Sequence, residues 1–220
     1  MGAGFQVFND SGNIQIDADY SNYVMTGKGT STTGAGSEFT GNYAAIGSGK
    51  KNSIIAIRSS TFAYVFNKLD SSGNVVHYVF TFGGAASFDW WVFADDPPAP
   101  TNSGFEVYNA QGQVVFSANG KYLKLLRFDT VAVTAGTSGS ASTPGKNPAW
   151  VSASFCALLE GVTVAVPGGV QSQGILRTLM GRSVSGGIEY KSDTIYTFGS
   201  NRGTSDNAYA SFMTIDVDNL

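Results

Sequence analysis

The chain has 220 residues, a net charge of -3 and 13% charged side chains, whereas about a quarter is usual. It has no cluster of Lys or Arg, which argues against a nucleic-acid partner, and no apolar stretch long enough to span a membrane. Its single cysteine, Cys156, excludes a disulfide within the chain, and the apolar neighbours predict a buried thiol. The N-terminal MGAG lacks the basic and apolar regions of a signal peptide, so we expect synthesis in a cytoplasm.

The first predicted element is a hairpin that the chain uses twice, one hundred residues apart. Residues 4–14, GFQVFNDSGNI, return as residues 104–114, GFEVYNAQGQV, without a gap. In each copy, alternating large side chains predict a strand, Asn-x-x-Gly predicts a tight turn, and a second strand follows. The sequence therefore predicts two related β-units.

Further strands are predicted along the first half from runs of β-branched and aromatic residues. The predicted segments are Tyr20–Thr30, Tyr43–Ile46, Ser53–Arg58, the hairpin Phe62–Asn67 with Val75–Phe82, and Ser87–Ala94. Asp95–Ser103, DDPPAPTNS, then predicts a linker, because proline lacks the amide donor of a ladder and disfavours helix before it. We therefore predict an N-terminal β lobe at 1–95, a Pro-rich linker at 96–103 and a C-terminal β lobe at 104–220.

In the second half, the hairpin is followed by more extended segments and by two loops. The segments are Lys121–Val133, Trp150–Leu159, Gly161–Val166, Ile188–Phe198 and Ala208–Val217, and the loops are Thr134–Pro148 and Gly199–Asn207. Ser172–Arg182 fits either a helical stripe or a strand, and the flanking Gly and β-forming residues favour a strand. The predicted fold is all-β, with two related β-sandwich or barrel-like lobes.

Residues with catalytic or metal-binding chemistry are few and scattered. His77, the only histidine, lies in a predicted strand without a neighbouring nucleophile, and we predict a surface or half-buried position for it. Asp17 with Asp19, and Asp95 with Asp96, form pairs that solvation explains better than acid–base catalysis. The Asp70–Asn74 segment lacks the closing Glu of a calcium loop. The sequence therefore predicts no enzyme, no cofactor and no metal site.

The segment FDWWVF at residues 88–93 is the most distinctive local feature. In a strand, Trp90 and Trp91 point to opposite faces, so one is expected to fill the core. The other is expected to meet the second lobe, a neighbouring chain or a sugar. The candidate interface or ligand platform comprises Trp90, Trp91, Phe93 and Arg202, the last near the centre of the second polar loop.

Three motifs in this chain resemble those of small structural proteins of long-tailed bacteriophages. They are the opening GFQVFNDSGNIQID, the strand WVFA with its proline joint and the following GFEVYNAQGQVVFS, and the ending FMTIDVDNL. Proteins of this group are tail-tip, baseplate or tail-fibre components. Relatives often have Phe-Asp-Ser after the first turn, whereas this chain has Ile16-Asp17-Ala18 in the first copy and Phe116-Ser117-Ala118 in the second.

The resemblance implies a virion protein located in the tail and made in the host cytoplasm. Its implied partners are other tail proteins and further copies of itself, in a homo-oligomer with three- or six-fold symmetry. It implies no catalytic residues. We therefore expect a structural protein that acts by assembly and takes part in host attachment. The alternative is a lectin-like module that binds glycan or protein on the host surface, which an isolated glycan affinity would reveal. A depolymerase is a third and disfavoured hypothesis.

Overall fold

Strands dominate the computed structural model, which describes residues 6–8, 14–17, 22–36, 41–96, 98, 104–154, 156–200, 203 and 208–220. The strands are β1 Gln6–Phe8, β2 Ile14–Asp17, β3 Val24–Thr32, β4 Gly34–Ala35, β5 Asn42–Gly47, β6 Ser53–Arg58, β7 Ala63–Leu69, β8 Val75–Thr81, β9 Ser87–Ala94, β10 Glu106–Tyr108, β11 Val114–Ser117, β12 Leu125–Ala132, β13 Ser138–Ser142, β14 Ala149–Ser152, β15 Leu158–Val166, β16 Gly169–Val184, β17 Gly187–Phe198 and β18 Tyr209–Ile215.

The strands form two larger sheets and two small hairpins. The six-stranded sheet has the order β12-β18-β14-β6-β9-β3, and the eight-stranded sheet contains β13-β17-β16-β7-β8-β5-β4 with β15 paired to β16. Neighbouring strands are antiparallel throughout. The side chains between the two sheets form a common core, as in a β-sandwich. The all-β prediction, including the strand at Ser172–Arg182, is confirmed.

The two predicted hairpin copies have the same local fold. In the first, Gln6 pairs with Asp17, and in the second, Glu106 pairs with Ser117, one hundred residues later. The register shifts after the second residue of β1 and after the second residue of β10. The correspondence continues into the next strands, because β3 and β12 carry bulges at Met25/Gly27 and Leu125/Arg127. Equal spacing in the sequence therefore produces equal backbone geometry through about thirty residues of each copy.

The strand order of the larger sheets repeats the same duplication. In the six-stranded sheet, the first half contributes β3-β9-β6, and the second half continues from β6 with β14-β18-β12. The strands β12, β18 and β14 are equivalent to β3, β9 and β6, so the second half repeats the first in reverse order. In the eight-stranded sheet, β5-β8-β7 likewise meets β16-β17-β13. The two halves are thus related three-plus-three sandwiches that lie edge to edge. The predicted boundaries at 95 and 104 stay a prediction, because most of the linker lies outside the described residues, but both sheets continue from one half into the other.

Trp150 lies where the halves join. Its backbone pairs with Ile57 in the six-stranded sheet, and its fully buried ring packs against Gly181 in the eight-stranded sheet. Gly181 in turn pairs with Ala63 of the first half. A Cβ atom at Gly181 would lie 2.6 Å from the Trp150 ring, so this position requires glycine. The joint closes two strand edges that an isolated half would expose.

Two sequence predictions need correction. Residues 138–142 were expected within the loop Thr134–Pro148, but they form β13 and pair with β17. Serine and glycine are weak strand formers, and packing decides here, because the Tyr190 side chain lies against Gly139. His77 was expected at a surface or half-buried position, but its side chain is 0% exposed. Cys156 is buried, as predicted. Within the described ranges, the chain has no helix that could cross a membrane.

Candidate functional site

Trp90 lies on the core side of β9, opposite to Trp91, as predicted. Its ring packs over Gly29 of the neighbouring strand β3, where a Cβ atom would approach the ring to 2.8 Å. Its Nε1 donates a hydrogen bond to Ser31 Oγ at 3.0 Å. The indole thus covers a glycine-containing edge strand that has little side-chain bulk of its own.

Trp91 and Phe93 lie on the outer face of the six-stranded sheet in a second apolar cluster, which includes Val217. Phe93 is 0% exposed and has no surface to offer a ligand in this arrangement. The guanidinium of Arg58 lies 5.2 Å from the centre of the Trp91 ring. That ring face is therefore already occupied by a cation of the same chain. Arg202 lies outside the described residues.

Arg58 is fixed in this place by an ion pair with Asp89, with Nη2 2.9 Å from Oδ2. Hydrogen bonds from Arg58 and Thr30 lower the pKa of the Asp89 carboxyl. A cleft of about 430 Å³ beside them is lined by Lys28, Trp91 and Leu220, among other residues. The candidate platform is thus a shallow, charge-paired surface rather than an open aromatic one.

An aromatic face that the sequence analysis did not single out lies on the outside of the eight-stranded sheet. Its members are Tyr43, Phe62, Tyr64, Phe66, Tyr78, Phe80 and Phe82, together with Leu176, Met180 and Ile195. The Arg182 guanidinium lies 4.6 Å from the Phe62 ring centre, and Lys68 Nζ lies 5.1 Å from that of Tyr78. Cations therefore lie against these rings too. The alternation of large residues at 62, 64, 66 and 78, 80, 82 was the signal for this face.

His77 joins the two sheets through hydrogen bonds. Its Nε2 lies 3.1 Å from Ser53 Oγ of the six-stranded sheet, and its Nδ1 lies 2.8 Å from Asn67 Oδ1. Burial lowers the pKa of the imidazole to about 4. A hydroxyl, an imidazole and an amide in line resemble a nucleophile, base and orienting group. The ring is fully buried, however, and its contacts are those of a bridge between the sheets.

In the predicted pair Asp95 and Asp96, each carboxylate has its own partner, whereas the side chain of Asp17 and the whole of Asp19 lie outside the described residues. Asp95 accepts a hydrogen bond from Asn52 Nδ2 at 3.0 Å, and Asp96 forms an ion pair with Lys50. Asp70 Oδ1 accepts backbone hydrogen bonds at the turn after β7, which lower the pKa of its carboxyl. Among the residues described, no three side chains of His, Cys, Asp or Glu come together as metal ligands would.

A polar cleft of about 370 Å³ lies near the joint between the halves. Its lining includes Arg58, Ser59, Asn147 and Ser183. The Ser183 backbone N–H donates to the Ser59 carbonyl at 2.8 Å, so the cleft bridges the two halves. The Ser183 hydroxyl is buried and has no hydrogen-bond partner within the described part of the chain.

The edge strand β12 of the six-stranded sheet carries exposed apolar side chains. Leu125 is 53% exposed and Phe128 is 57% exposed. Arg127 and Asp129 flank Phe128 on the same strand and form an ion pair, with Nε 2.7 Å from Oδ2. Among the described strands, β12 has β18 as its sole ladder partner, so its other edge offers backbone groups for pairing.

The opposite edge of the same sheet is β3, and the duplication makes the two edges directly comparable. Gly27, Lys28 and Gly29 of β3 correspond to Arg127, Phe128 and Asp129 of β12. A central lysine protects an edge from pairing, and glycine weakens a strand. The second copy has an aromatic residue in place of that lysine. Aligning the copies beyond residue 114 would have revealed this difference from sequence.

No protein-family model, curated protein or solved structure matches the chain. A functional conclusion therefore rests on the geometry of the chain and on its motifs.

Proposed function

We propose that this protein is a structural component of a bacteriophage tail, in the tail tip, baseplate or tail fibre, and that it acts by protein–protein assembly. The observation that carries the proposal is the exposed apolar surface of the second copy, on β12 and on the hairpin β10–β11. Phe105, Tyr108, Leu125 and Phe128 are all at least 48% exposed. Apolar and aromatic side chains in such a position are typical of surfaces that a partner covers.

The occupied aromatic rings also support assembly over sugar binding. A sugar platform needs an open ring face, but Arg58 lies over Trp91, and Arg182 and Lys191 lie against Phe62. Edge strands, by contrast, bind partners through main-chain hydrogen bonds, and neighbouring side chains provide specificity. Other tail proteins and further copies of the chain are the proposed partners, and the virion tail is the proposed location.

The second candidate function is a glycan-binding module, and the polar cleft at the joint is the observation that favours it. Its lining by Ser59, Asn147 and Ser185 provides neutral hydrogen-bonding groups of the kind that recognise hydroxyls. A glycan-array screen of the purified chain, repeated with Ser185→Ala and Asn147→Ala, tests this function. A glycan that binds the native chain and neither variant would favour it.

The proposed function is tested on particles of the phage that encodes the chain. Mass spectrometry of purified particles should detect the protein, and antibody labelling should place it at the tail under the electron microscope. Its absence from intact particles would overturn the proposal, and the glycan screen would then take priority.

A further inference from the structure

We propose that β12 pairs in antiparallel fashion with β12 of a second copy of the chain, with Phe128 opposite Phe128. This inference rests on the proposed assembly function, and it names the partner and the register. The two six-stranded sheets then become one continuous sheet across a two-fold axis. Such an isologous contact needs only one surface, because each copy provides the same patch.

The charges on β12 match this register. When Phe128 is opposite its counterpart, Arg127 of each copy lies opposite Asp129 of the other. Opposite charges directly across a pair of strands stabilise it, whereas like charges destabilise it. Centring the pair one residue away, on Arg127 or on Asp129, would place that residue opposite its own counterpart and bring two like charges together. The strand is thus electrostatically self-complementary in the proposed register.

The apolar side chains support the same arrangement. Phe128 is paired with Met213 of β18 within the chain, and Met213 belongs to the apolar cluster on the outer face of the six-stranded sheet. In the pair of copies, two Phe128 rings meet across the axis and continue that apolar face. Aromatic cross-strand pairs are among the more stabilising pairs in sheets.

The other edge of the sheet does not allow the equivalent contact. The same register on β3 would place Lys28 opposite Lys28, with glycines at both flanking positions. Lys28 Nζ also donates a hydrogen bond to the Leu220 backbone oxygen at 2.7 Å, so it is held within its own chain. Of the two edges, only β12 therefore has an attractive self-pairing register.

The first experiment measures the mass of the full chain in solution by analytical ultracentrifugation, from about 1 to about 100 μM, where contacts of modest area associate. The expected mass at high concentration is twice the 23.0 kDa of one chain. Phe128→Lys, which copies the β3 residue, should weaken association by about 100-fold or more. The control Thr32→Lys adds the same charge to exposed β3 and should leave association unchanged. A native chain that stays monomeric, or a Phe128→Lys variant that associates normally, would overturn the inference.

A charge reversal tests the register. Arg127→Glu gives β12 two negative residues, and Asp129→Arg gives it two positive residues, so each variant alone should be monomeric. An equimolar mixture should form a heterodimer, because each strand then meets the opposite charge. Circular dichroism confirms that both variants are folded. If either variant dimerises alone as the native chain does, or if the mixture stays monomeric, the proposed register is wrong.

A cysteine placed at the axis tests the contact directly. Phe128→Cys should form an intermolecular disulfide under mild oxidation, because opposite residues in antiparallel strands have Cα atoms about 4.5–5.5 Å apart, within disulfide range. Lys28→Cys is the matched control at the equivalent position of β3 and should stay reduced. The native Cys156 is buried, so it does not compete. Equal crosslinking of both variants would contradict the pairing of β12.

The inference and the proposed function can fail separately. A protein present in phage tails but monomeric in solution at every concentration would retain the function and lose the self-pairing. A dimer that the Phe128 and charge variants disrupt, but that is absent from particles, would retain the self-pairing and lose the function.

Discussion

The edge strands β3 and β12 occupy equivalent positions in the two copies of a duplicated unit, yet they present different surfaces. Both follow a hairpin of the same register, and both carry a bulge at the same place. In β3, Lys28 lies between two glycines and protects the edge, and Trp90 covers it. In β12, Phe128 is exposed between two opposite charges. The two copies thus share the backbone pattern, which the sheet requires, but differ in the side chains of their edge strands.

The largest expected loss of stability is at the joint between the two halves, which places β3 and β12 in one sheet. Trp150→Ala should reduce the free energy of unfolding by about 3–5 kcal/mol, because it leaves a cavity where both sheets pass from one half to the other. Urea denaturation measures this effect. Trp90→Ala is the control, on β9 beside the β3 edge. It should reduce the free energy of unfolding by less, because the Trp90 ring is only half-buried. Equal losses of unfolding free energy in the two variants would mean that Trp150 stabilises the fold no more than Trp90 does.

Low pH should destabilise the fold through protonation of His77, which lies in the first half. The folded pKa of about 4 lies below the ordinary value of 6.5, so the unfolded chain binds the proton more readily between these values. Stability contributed by the neutral ring is therefore present above pH 6.5 and lost as the pH falls toward 4, by about 3 kcal/mol. Urea denaturation of the native chain and of His77→Gln across this range measures the loss. An equally steep pH dependence in the variant would contradict this assignment.

Substitution of matched edge residues compares β3 with β12 directly. Gly29→Ala should destabilise the fold by about 1–3 kcal/mol, because the new methyl group would clash with the Trp90 ring. Asp129→Ala, at the equivalent position of β12, removes an ion pair whose carboxylate is 18% exposed, and should cost about 1 kcal/mol. Thermal denaturation at low protein concentration measures both. A larger loss of stability for Asp129→Ala than for Gly29→Ala would contradict the view that β3 is the packed edge and β12 the open one.

The smallest expected effect on folding is that of Phe128→Lys. Because the side chain is exposed, the free energy of unfolding of the monomer should change by no more than about 0.5 kcal/mol. Chemical denaturation at submicromolar concentration isolates this value from association. A loss of several kcal/mol would show that Phe128 supports the fold of its own chain rather than a surface for a partner.

Much of the fold could be predicted from local patterns. The repeat at a spacing of one hundred residues predicted two hairpins, and their shared register confirms it. Alternation predicted that Trp90 and Trp91 face opposite ways, which is also confirmed. The burial of His77 and the strand β13 were not predicted, because both depend on partners distant in sequence, Ser53 for the histidine and Tyr190 for the strand.

The sequence by itself determined the strands, the turns and the duplication, because these follow from side-chain periodicity and from the backbone preferences of Gly and Asn. Only the tertiary structure decided that the two halves share their sheets, that cations occupy the aromatic faces and that Phe128 remains at an open edge. Those outcomes depend on which strand neighbours which, and non-local pairing leaves no periodic signal in the chain.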